Sequence, residues 1–177
     1  MVAGGHSHSL ALKSDGSLWA WGLNYYGILG NGTINNSPVP IKVGDGYTSI
    51  AASIATSAGI KADGSLWVWG SNSEGELGDG TDTESTIPKQ VNGSFKSVAT
   101  GYYHTVAVKT DGSLWVWGYN NYGQLGDGTT TTSRVPKKIG DNFATVAAGY
   151  HHTLGIKSDG SLWAWGYNAT GQLGDGT

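Results

Sequence analysis

Tryptophan recurs at an unbroken interval of 48 residues along the whole chain, and this period limits the fold more than any other feature. Trp19, Trp67, Trp115 and Trp163 are each 48 residues apart, and a second tryptophan follows two residues later in every repeat. In repeat architectures of this kind, each unit needs its neighbours to bury its apolar surface. We divide the chain into units at approximately 2–49, 50–97, 98–145 and 146–177, all within one domain, 1–177.

Each unit predicts a β-hairpin. In the third unit, runs 105–109 and 113–118 are rich in β-branched and aromatic residues, and Asp111-Gly112 separates them. Asp-Gly is a strong signal for a tight hairpin turn because both residues tolerate the positive φ that such turns need. The equivalent Asp15, Asp63 and Asp159 are therefore interpreted as turn-formers, not as catalytic carboxylates, which would have to lie close together.

The second strand of the hairpin is apolar on both faces. Leu114 and Val116 point one way, and Trp115 and Trp117 point the other. A small sheet covered on both sides and repeated at constant spacing is typical of propeller blades. Linkers with Pro40, Pro88 and Pro136 predict outer edge strands, where a missing N–H is tolerated. We therefore expect an all-β propeller segment whose structural core includes eight indoles: Trp19, Trp21, Trp67, Trp69, Trp115, Trp117, Trp163 and Trp165.

Composition excludes several function classes. The net charge is −3 with no run of Lys or Arg, so a nucleic-acid partner is not expected. No apolar run approaches the roughly 20 residues of a membrane-spanning helix. The chain has no Cys, and no nucleophile–base arrangement or metal-ligand set stands out, so we predict no enzyme, no cofactor and no native metal site. The pairs His6-x-His8 and His151-His152 could hold a stray ion, but metal sites usually need more ligands.

The combined pattern of the units, for which Val98 to Thr129 is the fullest example, resembles the regulator of chromosome condensation repeat. It runs V-A-x-G-x-x-H-x-L-A-L-K-x-D-G-x-L-W-x-W-G-x-N-x-x-G-x-L-G-x-G-T, and only the second unit, with Thr56 in place of histidine, loses the G-x-x-H step. The resemblance implies a propeller, usually of seven blades with about four strands each. Founding eukaryotic members are exchange factors for a small nuclear GTPase and bind chromatin. That function depends on particular loops and basic tails, which this chain lacks.

The gap-free units look more like bacterial members of that family. Those members include a secreted inhibitor of β-lactamases, so inhibition of a secreted enzyme is a distant alternative by fold analogy. A secreted or cell-surface bacterial origin is slightly favoured over a cytoplasmic one, and the compartment stays open.

Four blades in an open arc leave two apolar end faces. An end blade that exposes two indoles of about 200 Å² each forfeits up to about 10 kcal/mol of burial. Two chains that close an eight-bladed ring would cover both ends, so a homodimer is suspected. The alternatives are part of a seven-bladed ring, a lone four-bladed ring, or a fragment with an added Met1.

Variation on this constant frame gives the candidate partner-binding residues. The variable places are the two residues after the first glycine of G-x-x-H and the pair inside N-x-x-G. Tyrosine among Asn, Ser and Gly is typical of adaptable protein-binding surfaces. We predict a protein-binding scaffold that uses His6, Tyr25, Tyr26, Tyr102, Tyr103, Tyr122, Tyr150 and His151. Two alternatives stay open: these tyrosines only cover blade edges, or the chain is a fragment or an engineered repeat protein with no role beyond self-assembly.

Overall fold

The computed structural model describes residues 1–177 and contains fifteen strands. In chain order they are β1 (Val2–Gly4), β2 (His8–Leu12), β3 (Leu18–Gly22), β4 (Ser37–Gly44), β5 (Tyr47–Ala52), β6 (Thr56–Lys61), β7 (Leu66–Gly70), β8 (Ser85–Val91), β9 (Phe95–Thr100), β10 (His104–Lys109), β11 (Leu114–Gly118), β12 (Ser133–Gly140), β13 (Phe143–Ala148), β14 (His152–Lys157) and β15 (Leu162–Gly166). The single helix is a 3-10 turn, Tyr25–Gly27. No helix is long and apolar enough to cross a membrane.

The strands form four antiparallel sheets, one for each repeat, which confirms the all-β propeller prediction. The first three blades have four strands in the orders β1-β2-β3-β4, β5-β6-β7-β8 and β9-β10-β11-β12, and the fourth blade is β13-β14-β15. The proline-containing strands β4, β8 and β12 lie at the outer edge. The first strands of neighbouring blades pack on one another at the inner side. They begin at Tyr47, Phe95 and Phe143, three residues before the unit boundaries drawn from the sequence.

Each Asp-Gly turn is fixed by one aspartate, as the third blade illustrates. The Asp111 Oδ1 atom accepts hydrogen bonds from the backbone N–H and the hydroxyl of Ser113, at 2.9 and 2.6 Å. The Ser113 Oγ atom accepts the indole N–H of Trp115 at 2.8 Å, and the Lys109 ammonium lies 3.9 Å from the centre of that ring. The other three blades repeat these contacts, so the aspartates are turn-formers that also hold a tryptophan.

The core lies between adjacent blades. Trp69 of the second blade packs with Leu10, Leu18 and Leu29 of the first. In the same way Trp117 of the third blade packs in the cluster that contains Leu66 of the second. Each blade therefore inserts one indole into the face of the preceding blade, and the second tryptophan of each repeat is the principal contact between blades.

The tryptophans differ in burial, and the prediction of eight core indoles is wrong for Trp163. Trp69 and Trp117 are fully buried, whereas Trp19, Trp21, Trp67, Trp115 and Trp165 are partly buried. Trp163 is 51% exposed. The reason is its place on the fourth blade, which has no outer strand and no following blade to cover it.

Candidate partner-binding surface

One carbonyl oxygen organises each contact between blades. The carbonyl of Glu76, in the second blade, accepts the indole N–H of Trp117 at 2.7 Å and the hydroxyl of Thr105 at 2.9 Å, both from the third blade. The equivalent carbonyls of Ile28 and Gln124 accept the same pair of donors from their next blades. We call these oxygens, together with that of Gln172, the junction carbonyls. These carbonyls lie in the loops after the W-x-W-G segments, so the loops of the first three blades are each anchored above a blade boundary.

A buried histidine reinforces two of the three junctions. The Nε2 atom of His104 lies 3.0 Å from the Thr153 hydroxyl, which itself donates to the junction carbonyl of Gln124. Because that hydroxyl is already the donor to the carbonyl, it accepts the Nε2–H of His104. Burial lowers the pKa of His104 to about 3 and that of His8, which contacts Ser57 in the same way, to about 4. These contacts give the histidine at this repeat position a structural role.

The glycine of the G-x-x-H step is required by the histidine. A Cβ atom at Gly101 would overlap the ring of His104, and one at Gly5 would overlap the ring of His8. The second unit has lost both members of the pair and has Ser53 and Thr56 instead. A residue larger than glycine at the first place of G-x-x-H therefore requires a residue smaller than histidine at the last place.

The inner loops of all four blades meet at one end of the propeller, which we call the loop end, around a cavity of about 310 Å³. His6, Ile54, Tyr102 and Tyr150 line it. These are the four equivalent residues at the first variable place in the sequence. The backbone N–H of Tyr102 donates to the carbonyl of Tyr150 at 3.2 Å, which ties the third inner loop to the fourth.

Seven aromatic side chains converge beside this cavity, all from the third and fourth blades. Tyr102 and Tyr150 stack with ring centres 4.2 Å apart. The ring of His151 lies 4.6 Å from that of Tyr122, which is 5.1 Å from that of Tyr167. The tyrosine–histidine cluster consists of Tyr102, Tyr103, Tyr119, Tyr122, Tyr150, His151 and Tyr167. Tyr122 and Tyr150 remain 44% and 52% exposed, so the cluster presents aromatic surface to solvent.

The structure separates the predicted residues into two groups. Tyr102, Tyr103, Tyr122, Tyr150 and His151 meet in the cluster, and His6 lies across the cavity from them.

Tyr25 and Tyr26 form a separate exposed pair on the first blade, with ring centres 6.3 Å apart and Tyr26 in a left-handed conformation at φ 63°.

Two members of the cluster, Tyr119 and Tyr167, were missed by the sequence reasoning. Each directly follows the W-x-W-G segment, where the first two units have Leu23 and Ser71. The residue at that position varies between units as much as the predicted ones do, and this variation could have marked it as a candidate binding position.

An asparagine side chain, buried in the first three blades, fixes each loop of the N-x-x-G segment. The Asn120 side chain accepts the backbone N–H of Leu125 at 2.9 Å and donates to the Asp127 carboxylate and the Thr129 carbonyl, both at 3.1 Å. The other three blades have the same asparagine with equivalent contacts. Tyr122, inside the third such loop, is therefore presented on a fixed backbone.

The loop end is acidic. Its inner loops, 5–7, 53–55, 101–103 and 149–151, and its outer loops, 23–36, 71–84, 119–132 and 167–177, contain no Lys or Arg. They carry seven of the thirteen acidic residues: Glu74, Glu76, Asp79, Asp82, Glu84, Asp127 and Asp175. Cations on the outer strands pair with three of them, through Lys89–Asp79, Lys137–Asp127 and Arg134–Asp82. Of the other four carboxylates Glu76 is buried, so Glu74, Glu84 and Asp175 are the ones that give this end negative charge at its surface.

Glu76 is the one buried carboxylate of this end. Its two oxygens accept the Ser71 hydroxyl at 2.9 Å and the Glu74 backbone N–H at 2.8 Å. Burial raises the pKa of Glu76 despite these hydrogen bonds. No group of three or more His, Cys, Asp or Glu side chains in the chain could hold a metal ion.

Comparison with known proteins identifies the relatives of this fold. The family model described as the RCC1-like domain matches residues 1–177. The chain belongs to the RCC1-like domain family. The resemblance drawn from the repeat pattern is thereby confirmed.

Solved structures of two other proteins superpose closely on this chain. Human WBSCR16 has a TM-score of 0.91 at 26% identity and matches 100% of this chain and 50% of its own. Yeast RCC1 (Prp20) bound to Kap60 has a TM-score of 0.80 at 25% identity, over 95% of this chain and 43% of its own. Prp20p of Saccharomyces cerevisiae, in a second structure, has a TM-score of 0.76 at 28% identity, over 89% and 43%. This chain spans half the length of these relatives or less.

Proposed function

We propose that this RCC1-like propeller is a non-catalytic protein-binding scaffold and that its partner binds the tyrosine–histidine cluster. The observation that carries the proposal is the convergence of six tyrosines and one histidine, from two adjacent blades, on loops with fixed backbones. Tyrosine supplies a large contact area at a low cost in side-chain entropy. Rigid presentation reduces the ordering cost of binding further.

The relatives support a role in protein binding. One structure of yeast RCC1 (Prp20) is a complex with Kap60, and the study of Prp20p concerns its binding to Gsp1p and histones. Those partners belong to the yeast protein. For this chain they support only the general proposal that the fold binds other proteins.

The partner segment that fits this surface best is positively charged. The loops of this end contain no Lys or Arg, and their surface carboxylates Glu74, Glu84 and Asp175 have no cation partner, which favours a cationic ligand and disfavours an acidic one. The faces of tyrosine rings also attract Arg and Lys side chains, by about 0.5–1 kcal/mol at exposed sites. We therefore propose a partner with Arg or Lys residues that stack on Tyr122 and Tyr150, the two most exposed tyrosines of the cluster.

Calorimetric titration with two synthetic peptides tests this proposal. One peptide contains several arginines, and the other has glutamate at the same positions. We expect the arginine peptide to bind, more weakly at high salt, and the glutamate peptide not to bind. The double variant Tyr102→Ala/Tyr150→Ala should weaken the binding at least about tenfold, which corresponds to a loss of about 1.4 kcal/mol.

Tyr25→Ala is the matched control because it removes an exposed tyrosine outside the cluster, on the first blade. Its binding should equal that of the unmodified chain. Thermal unfolding of all variants checks that the fold is intact. Equal binding by the double variant and the control, or equal binding of both peptides, would contradict the proposal.

A second candidate role is self-assembly, as suspected from the repeat count. The observation in its favour is that the first and last blades each carry a face with no partner inside the chain.

A further inference from the structure

The two end blades carry unpaired hydrogen-bond groups that match each other. At every internal junction an indole N–H and a hydroxyl donate to one junction carbonyl. On the first blade the equivalent donors, the indole of Trp21 and the hydroxyl of Ser9, have no acceptor. On the fourth blade the junction carbonyl of Gln172 has no donor. One half of a junction thus lies at each end of the arc.

The apolar surfaces of the two ends match in the same way. Leu162 of the fourth blade is 68% exposed, whereas its equivalents Leu66 and Leu114 are 0% and 1% exposed because the next blade covers them. A groove of about 120 Å³ beside Leu162 is lined by Leu154 and Ile156. The equivalent residues of the first blade, Leu10 and Leu18, pack against the indole of Trp69. The groove therefore has the same kind of apolar lining as the surface that holds the Trp69 indole at the first junction.

A glycine at this end leaves room for the same indole. A Cβ atom on Gly126 would lie 2.6 Å from Nε1 of Trp165, and one on Gly78 would lie 2.9 Å from Nε1 of Trp117. Gly174 has the same role in the repeat and a similar φ of +69°, but nothing lies within 4 Å of its Cβ position. At Gly126 and Gly78 the indole of the next blade comes too close for any residue but glycine, whereas no indole of the same chain approaches Gly174.

We propose that a second copy of this chain covers these ends head to tail, so that Trp21 and Ser9 of the second copy donate to the Gln172 carbonyl and the indole enters the groove beside Leu162. The proposal rests on the second candidate role, self-assembly, and names the contacts that hold the two copies together. Two copies related by a two-fold axis satisfy both ends at once. They form a ring of eight blades, within the range of four to eight typical of propellers.

The required donor pair favours a copy of this chain over an unrelated partner. Ser9 and Trp21 lie directly opposite each other on β2 and β3, as Ser57 and Trp69 do on β6 and β7. This register is what brings a hydroxyl and an indole N–H to a single oxygen at the internal junctions. The first blade of a second copy supplies that arrangement without any rearrangement.

Light scattering over a range of protein concentrations tests the proposal. We expect a mass twice the 18.4 kDa of one chain. Trp21→Ala and Leu162→Lys, at opposite ends, should each give a mass of one chain. A mixture of the two variants should recover the double mass in part, because each mixed pair retains one junction between an unmodified Trp21 and an unmodified Leu162.

A smaller change tests the atomic detail. Gly174→Ala places a methyl group where the indole of the second copy would lie, so it should weaken dimerisation. Gly176→Ala is the control, since it has a similar positive φ and also meets no atom within 4 Å. It should keep the mass of the unmodified chain. Circular dichroism of the monomeric variants confirms that they are folded.

A mass of one chain for the unmodified protein at all concentrations would overturn the inference. So would a double mass that persists in Trp21→Ala, or a mixture that stays at the mass of one chain. The peptide titration is independent, because the tyrosine–histidine cluster lies within one chain. A monomeric protein that still binds the arginine peptide refutes the ring alone, and a dimer that ignores the peptide refutes the binding proposal alone.

Discussion

Substitution of Trp117 tests the most consequential contact between blades. This indole is fully buried between the second and third blades, and its N–H donates to the Glu76 carbonyl at 2.7 Å. Burial of a tryptophan removes about 150–250 Å² from water, which at about 25 cal/mol per Å² contributes about 4–6 kcal/mol. Measured Trp→Ala substitutions in protein cores cost about 3–5 kcal/mol. We therefore expect Trp117→Ala to lower the free energy of unfolding by about 3–5 kcal/mol.

A second variant separates the loss of stability into the part from apolar contact and the part from the hydrogen bond. Trp117→Phe keeps most of the apolar contact and removes the hydrogen bond, whose net contribution is about 0.5–1.5 kcal/mol. The Glu76 carbonyl keeps its other donor, the hydroxyl of Thr105 at 2.9 Å. Trp117→Phe should therefore cost about 1–2 kcal/mol in total, with part of it from imperfect packing.

Thermal and urea unfolding, followed by circular dichroism, measure both effects. For a chain of this size 1 kcal/mol corresponds to about 2–4 °C in Tm, so Trp117→Ala should lower Tm by about 6–20 °C. Trp115→Ala is the matched control on the same strand, because Trp115 is only partly buried and contacts its own turn. Equal losses for Trp115→Ala and Trp117→Ala, or no loss for Trp117→Ala, would show that Trp117 is not the principal contact between these blades.

Three further predictions concern single residues. Gly126→Ala should destabilise the chain by at least about 1 kcal/mol more than Gly174→Ala in a dilute monomeric sample, because only the first meets an indole, that of Trp165, at nearly the same φ. Burial lowers the pKa of His104 to about 3, below about 6.5 in the unfolded chain. The contribution of the neutral His104 to stability is therefore complete above pH 6.5 and is lost as the pH falls towards 3. Between pH 7 and pH 4, the urea midpoint of the His104→Gln variant should therefore change less than that of the unmodified chain. The raised pKa of Glu76 gives the opposite pH dependence. Its contribution to stability is complete below pH 4.5 and is lost as the pH rises through the folded-state pKa. The Tm of the Glu76→Gln variant should therefore rise relative to that of the unmodified chain between pH 4 and pH 7. A Tm difference independent of pH, or a His104→Gln midpoint that follows the unmodified chain, would contradict these assignments.

The sequence predicts the blade and its order well because the relevant signals are local. Asp111-Gly112 specifies the turn, and the double-sided apolar strand from Leu114 to Trp117 specifies a sheet covered on both faces. Strand pairing then follows from chain order alone, since consecutive strands pair in every blade.

The sequence predicts burial less well because burial depends on neighbours. Trp163 has the same local sequence as Trp19, but one is exposed and the other partly covered. Repeat equivalence says which residues share a position and does not say whether another blade lies beside that position. The same limitation hides the pairing of Gly101 with His104, which depends on where the imidazole ring folds back.

The aromatic cluster was predictable in part. Variation between units marked Tyr102, Tyr122 and Tyr150, because constant positions serve the core and variable ones do not. Convergence was not predictable, since it requires the inner loops to lie beside the neighbouring outer loops. Tyr25 shows the consequence: the same variability at the first blade gives an isolated pair.

Each of the first three blades is fixed to the next by an indole whose N–H bonds to a junction carbonyl. Hydrogen exchange of the tryptophan side chains, followed by NMR, tests it directly. The indole N–H groups of Trp69 and Trp117 should exchange most slowly, because they open only when blades separate. That of Trp163, on a ring that is 51% exposed, should exchange much faster. Exchange at Trp117 as fast as at Trp163 would show that this indole does not hold the two blades together.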